Sequence, residues 1–168
     1  LPASQEHRAF VTRTLAERYD LAGIPGFYPK DGHWQMAAYR SGFLVPVLDC
    51  NGYIQGLQIR HDKAAKHKYE WFSSSRYDGG TAACSWIHVT GDTTQTTAYL
   101  TEGPLKADIS SLRAKGQLFL GLPGAHSMAQ LGRTLEALLN VHTVVLAFDQ
   151  DKAENEVVLQ AQGRARDI

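Results

Sequence analysis

Three carboxylates carry the most legible chemistry in this chain. Glu102 closes an apolar run, Thr97-Ala98-Tyr99-Leu100-Thr101, and is followed by Gly103; Asp149 and Asp151 close a second run, Thr143-Val144-Val145-Leu146-Ala147-Phe148. Both runs have the length and residue types of buried strands. Side chains two apart on an extended strand point the same way, so Asp149 and Asp151 can converge on one point if the strand geometry continues past Phe148. Three acids at the carboxyl ends of parallel strands would make a hard-cation site, because oxygen ligands suit magnesium and open α/β sheets hold ligands at those ends.

Holding such acids together requires alternating strands and helices, and the second half of the chain reads that way. After strand 98–101 the pattern predicts a helix over 104–115, a strand over 117–121, a helix over 127–139, a strand over 143–148 and a helix over 152–165. That alternation demands crossover connections and hence a parallel sheet. Pro104 suits the first turn of its helix, and Ser127 suits the N-cap of the next. In the first half, Phe10, Val11, Leu15 and Tyr19 recur near helical spacing behind Ser4, predicting a short amphipathic helix over 6–19 that stops before Gly23. Residues 23–42 mix glycine and proline with Phe27, Tyr28, Trp34 and Tyr39, which predicts a looped segment with aromatic anchors. Strand, turn and strand follow over 42–60, turning at Cys50-Asn51-Gly52, with a third strand at Tyr69–Ser73 and a fourth at Trp86–Val89. The expected fold class is α+β: residues 1–92 form a small, mostly antiparallel β lobe with a short helix, and residues 93–168 form an α/β lobe with a parallel sheet.

Composition narrows the field less than the motifs do. At 168 residues and 43% apolar content the chain can bury one substantial core or two small ones. Seventeen basic residues balance seventeen acidic ones, so any hold on a polyanion must come from a local patch. Cys50 and Cys84 lie far apart without a Cys-x-x-Cys pairing, which fits free thiols in a reducing compartment and a cytoplasmic protein. No run approaches the roughly 20 apolar residues of a membrane span. The amino end lacks the charged and apolar regions of a signal peptide and reads as a fragment boundary. Seven histidines form no tetrahedral set with the cysteines, so no zinc is expected. Walker, Rossmann and Gly-x-Ser-x-Gly patterns are absent.

With Leu100-Thr101-Glu102-Gly103, the middle strand ending in Leu122-Pro123-Gly124, and Val145-Leu146-Ala147-Phe148-Asp149-Gln150-Asp151 in this order, the sequence resembles the Toprim domain shared by bacterial-type primases, topoisomerases and related nucleases. The first lobe, from Leu44-Val45-Pro46-Val47-Leu48-Asp49 through Gly56-Leu57-Gln58-Ile59-Arg60 to Lys68-Tyr69-Glu70-Trp71-Phe72-Ser73-Ser74, resembles the segment preceding Toprim in bacterial replicative primases. Glu102-Gly103-Pro104-Leu105-Lys106-Ala107-Asp108 is similar to the Toprim-like domain carried by replication proteins of phages, plasmids and mobile elements. In many primases the position of Lys106 is acidic, so the resemblance extends to three carboxylates rather than four. The chain also ends before the fourth Toprim strand that the family would supply.

The resemblance implies that Glu102, Asp149 and Asp151 are both catalytic and metal-binding, holding one or two magnesium ions, or manganese in their place, for in-line phosphoryl transfer. Glu102 as general acid or base is the alternative implied by the likeness to topoisomerases. Between Arg60 and Arg76 stand five basic residues, Arg60, Lys63, Lys66, Lys68 and Arg76, against two acids, Asp62 and Glu70, interleaved with Tyr69, Trp71, Phe72 and Tyr77. Such a strip can follow a nucleic-acid backbone and stack bases; the alternative is a solvated loop with Trp71 in the core. The residues expected to bind nucleic acid or nucleotide are Arg60, Lys66, Lys68, Tyr69, Ser73 and Lys106. The expected activity is primase-like, magnesium-dependent joining of nucleoside triphosphates on single-stranded DNA within a mobile-element or phage replication protein, with a helicase as partner. A Toprim nuclease and a non-catalytic nucleic-acid-binding module are the alternatives.

Overall fold

The computed structural model describes residues 1–63, 68–124 and 128–148, and the chain divides into two compact units. The first comprises Leu1–Val45 and Gly56–Cys84; the second comprises Pro46–Gln55 and the chain from Ser85 on. The expected α+β class holds, with small antiparallel sheets and one sheet containing parallel strands.

The first unit begins with α1, Gln5–Ala16, capped as expected by Ser4, whose hydroxyl accepts from the His7 N–H. Its inward face is only partly the one predicted, and the helix ends at Ala16, short of Tyr19. Phe10 and Tyr19 are mostly exposed, whereas Thr12 is fully buried and returns its hydroxyl to the Arg8 carbonyl. The apolar side chains Leu15 and Ala16 pack with Leu21, Phe27, Ile59 and Phe72 into the core of this unit.

The segment expected to be looped instead folds as a hairpin, β1 (Phe27–Lys30) against β2 (His33–Met36). Its two-residue turn is Asp31-Gly32, with φ of 52° and 75°. Positive angles at both central residues are what Asp-Gly tolerates and what matches strand twist, so a local signal was present and outweighed by the surrounding aromatics. Strands β3 (Gly42–Leu48), β4 (Ile54–His61) and β5 (Tyr69–Trp71) then form a three-stranded sheet in that order. The β3–β4 turn falls at Cys50-Asn51-Gly52 as expected, a loop in which Gly52 takes a positive φ of 81°. Asp49 organises it: its Oδ1 accepts from the N–H groups of Asn51 and Tyr53.

In the second unit β6 (His88–Thr90), β7 (Thr97–Glu102), α2 (Pro104–Arg113), β8 (Phe119–Leu122), α3 (Leu131–Ala137) and β9 (Thr143–Leu146) follow one another. The sheet order is β6-β8-β7-β9. Strand β6, grouped by sequence with the first lobe, pairs antiparallel with β8 instead. Strands β8 and β9 flank β7, both parallel to it. Helix α3 begins at Leu131, later than predicted. The Ser127 cap and the 152–165 helix lie outside the described residues. Leu100, Leu118, Leu120 and Leu122 are fully buried, with Ile87, Val89 and Leu131, and each such side chain contributes about 1.5–3 kcal/mol by leaving water.

One residue sets how closely α2 approaches the sheet. A Cβ on Gly121 of β8 would lie 2.9 Å from the Gly103 carbonyl, 3.0 Å from Pro104 Cα and 3.1 Å from Ala107 Cβ. Those neighbours are backbone or rigid, so room for a methyl comes only by pushing the helix start outward. Gly121→Ala should therefore cost about 1–3 kcal/mol of unfolding free energy in a urea titration; an unchanged midpoint would refute the tight contact.

Candidate functional site

Glu102 is the last residue of β7 and shares a sheet face with Ala98 and Leu100, two and four residues back. Its side chain is half-buried. The following Gly103 turns the chain with φ 76° and ψ 145°, close to a region that only glycine occupies without strain, and Pro104 opens α2 directly behind it. The Glu-Gly-Pro sequence thus has a backbone reason: acid at the strand end, glycine for the corner, proline for the first helical turn.

Strand order brings β9, the run that precedes Asp149 in the sequence, beside β7. Leu100 of β7 pairs with Leu146 of β9, and the Ala147 N–H donates to the Leu100 carbonyl at 2.7 Å. Continuing that register by two residues sets Phe148 level with Glu102, and Asp149 is the next residue in the sequence. Asp149 and Asp151 lie outside the described residues. With β8 and β9 on opposite sides of β7, the chain leaves β7 in one direction and returns to its other flank, so the carboxyl ends of β7 and β9 bracket the topological switch point. Open α/β sheets bind ligands at that crevice. Among the described residues no three His, Cys, Asp or Glu side chains gather as a metal cluster. A carboxylate such as Glu102 is a hard oxygen donor of the kind magnesium takes, and the sequence that follows β9 holds two more.

Asp108, two residues beyond Lys106, is committed elsewhere. His88 is 1% exposed; its Nδ1 accepts the Leu48 N–H at 3.0 Å, and its Nε2 lies 2.9 Å from Asp108 Oδ1. An acceptor at Nδ1 requires the proton on Nε2, so the neutral ring donates to Asp108 and ties the tip of the β3–β4 hairpin to β6 and α2. Lys106, in the first turn of α2, is half-buried.

The remaining candidates belong to the first unit. Arg60 and Tyr69 are cross-strand partners; the guanidinium lies 5.2 Å from the Tyr69 ring centroid and donates to the His61 carbonyl. Tyr69 and Lys68 are exposed, as nucleic-acid contact requires. Ser73 is held within its own loop, its Oγ accepting from the Ala83 N–H at 3.2 Å and meeting Ser75 Oγ at 3.3 Å. Lys66 lies outside the described residues. Phe72 cannot belong to a base-stacking strip, for it is 1% exposed and packs edge-on against Phe27.

What the sequence reading missed is a second aromatic and basic group in the same unit, built from Tyr28, Tyr39, Arg40, Arg76 and Tyr77. Arg76 lies over both the Tyr39 ring, at 5.5 Å, and the Tyr77 ring, at 5.0 Å. Arg40 lies 5.2 Å from Tyr39, and Tyr77 stacks on Tyr28 with centroids 3.9 Å apart. The Tyr39 hydroxyl donates to Glu70 Oε2. That bond raises its pKa above the ordinary phenol range, while the guanidiniums of Arg40 and Arg76 pull the other way. Burial and the Tyr77 neighbour raise Tyr28 similarly. Only Arg76 and Tyr77 had a sequence signal, since the other three sit in the stretch read as aromatic anchors.

No family model and no curated protein matches the chain. Among solved structures, the zinc-binding and RNA polymerase domains of the Aquifex aeolicus primase align with a TM-score of 0.55 at 16% identity, over 95% of this chain and 41% of that one. The fold is thus primase-like, and the chain spans about two-fifths of the primase chain it matches. Among the described residues no helix is long and apolar enough to cross a membrane.

Proposed function

We propose that the chain carries a Toprim-type metal site and serves template-directed nucleotide joining in DNA replication, within a phage or mobile-element replication protein. The observation that carries this reading is the adjacency of β7 and β9 at the switch point, with Glu102 at one strand end and Asp149-Gln150-Asp151 next in the sequence after the other. The fold shared with the Aquifex primase chain supports it as context. Glu102, Asp149 and Asp151 would hold magnesium, which when bound neutralises phosphate charge and fixes the attacking and leaving oxygens in line. The chain's own contributions are positional. Gly103 and Pro104 fix the corner behind Glu102, and the first turn of α2, which carries Lys106, starts at the same end of the sheet, where backbone N–H groups would favour a phosphate. Arg60, Lys68 and Tyr69 would bind the single-stranded template, and Lys66 and Ser73 belong to the same proposal.

The test is incubation with a single-stranded DNA template, labelled nucleoside triphosphates and magnesium or manganese. Short oligomers whose yield vanishes on chelation are the expected result. Shortening of the input strand would replace this reading with a nuclease. Metal-independent binding without turnover would replace it with a passive nucleic-acid-binding module.

A further inference from the structure

The group of Tyr28, Tyr39, Arg40, Arg76 and Tyr77 is continuous. Arg40 meets Tyr39, Tyr39 meets Arg76, Arg76 meets Tyr77 and Tyr77 meets Tyr28, each step between 3.9 and 5.5 Å. Its members come from three separate stretches of the first unit, so the ladder exists only in the folded chain. Among the described residues neither Arg40 nor Arg76 forms an ion pair with a carboxylate. Both guanidiniums are exposed, and Tyr39 is 49% exposed. The two exposed cations rest on aromatic rings rather than on carboxylates, with Glu70 reaching the ladder through the Tyr39 hydroxyl, so both guanidiniums are free to exchange ring contact for an anion. Beside the ladder opens a cavity of about 230 Å³, lined by Tyr28, Tyr39 and Tyr77 together with Gln5, Arg8 and Gln35. That is smaller than the roughly 300–1,000 Å³ of pockets that enclose a drug-sized ligand, and it suits a single planar ring. Gln5 and Gln35 add amide donors and acceptors at its wall.

We propose that this ladder is a binding site for unpaired nucleic acid, in which Arg40 and Arg76 leave the Tyr39 ring for successive phosphates while one base takes the ring face so vacated and edges into the neighbouring cavity. Unpaired strands are the ligand class that combines regularly spaced anions with exposed flat rings, and guanidinium planes and tyrosines both stack on bases. A duplex buries its ring faces and offers only the charge. A protein acidic patch offers charge without rings. The ligand class rests on the nucleic-acid reading above, but the site is independent of the metal and of Glu102.

The test is fluorescence anisotropy of a labelled oligo(dT) strand with the whole chain in EDTA, competed by the same sequence as duplex and by polyphosphate. Wild type should bind the single strand in preference to duplex. Arg40→Gln with Arg76→Gln should weaken binding of both oligo(dT) and polyphosphate, and reduce the slope of log K against log salt by about 1.4, two single-strand phosphate contacts' worth. Tyr39→Leu should weaken oligo(dT) binding at least about fivefold and leave polyphosphate binding unchanged. Tyr39→Phe keeps the ring, loses the Glu70 bond and should bind as wild type, which separates stacking from folding damage. Wild-type affinity in both the double arginine variant and Tyr39→Leu would overturn the proposal. So would equal losses of oligo(dT) and polyphosphate in Tyr39→Leu. Because the assay contains no divalent ion, it reads the ladder without the metal site, so failure here and failure of the catalytic reading give different patterns.

Discussion

Glu102→Gln should leave the protein folded and lower metal-dependent nucleotide joining by about 10²- to 10⁴-fold. The substitution changes one oxygen to an amide and keeps the shape, so the half-buried position at the end of β7 should accept it. What it removes is a formal negative charge where the strand ends of β7 and β9 come side by side. A carboxylate that helps hold a divalent ion supports several kcal/mol of transition-state charge stabilisation, and each 1.36 kcal/mol is tenfold in rate, which gives about that range. Affinity for manganese, measured by calorimetry or paramagnetic relaxation, should fall in parallel, whereas the melting temperature should move by no more than about 2 °C. Asp149→Asn should reproduce the loss. Undiminished oligomer synthesis by Glu102→Gln would remove the acid from the site, and the metal reading would go with it.

His88→Ala should destabilise the second unit by about 3–5 kcal/mol. The imidazole is fully buried and bridges two elements that are distant in sequence, the Leu48 N–H on β3 and the Asp108 carboxylate on α2. Truncation leaves a cavity and strands the Leu48 N–H; the first effect costs about 2–5 kcal/mol in comparable side chains and the second about 1–3, without full additivity. His88→Asn supplies an acceptor at the δ position without reaching Asp108, so it should recover part of the loss. Asp108→Ala should cost least, about 1 kcal/mol, because its carboxylate is 43% exposed and water can replace it as the acceptor for Nε2–H. The order alanine, asparagine, then the Asp108 variant, measured by denaturant unfolding, follows from the tautomer. If Asp108→Ala proved the most damaging of the three, the ring would have to be charged and the bridge electrostatic rather than hydrogen-bonded.

Much of this architecture is legible in local sequence. Thr97–Thr101 and Thr143–Phe148 are apolar and β-rich, Pro104 can only begin a helix, and Ser4 caps α1, because each signal depends on neighbours a few residues away. The candidate acid at the end of β7 is legible for the same reason: a charge that closes an apolar run marks where the strand reaches the end of the sheet. Local pattern also misled. Phe10 has the spacing of a buried helix face with Leu15, yet α1 turns Thr12 inward with Leu15 and leaves Phe10 exposed, since which face is covered depends on what the helix lies against. Asp31-Gly32 had the chemistry of a hairpin turn but stood among aromatics that suggested a loop.

Apolar runs and glycine-proline punctuation are enough to list the strands and helices of this protein, because backbone preferences are satisfied within a few residues. They do not say which strands are neighbours. The order β6-β8-β7-β9 sets Leu146 level with Leu100 and admits β6 antiparallel at the edge, and it emerges from burying the apolar side chains of these strands in one core. The His88 bridge and the arginine-tyrosine ladder have the same origin. Each joins side chains from segments far apart in the chain, and a contact of that kind exists only after packing has brought those segments together.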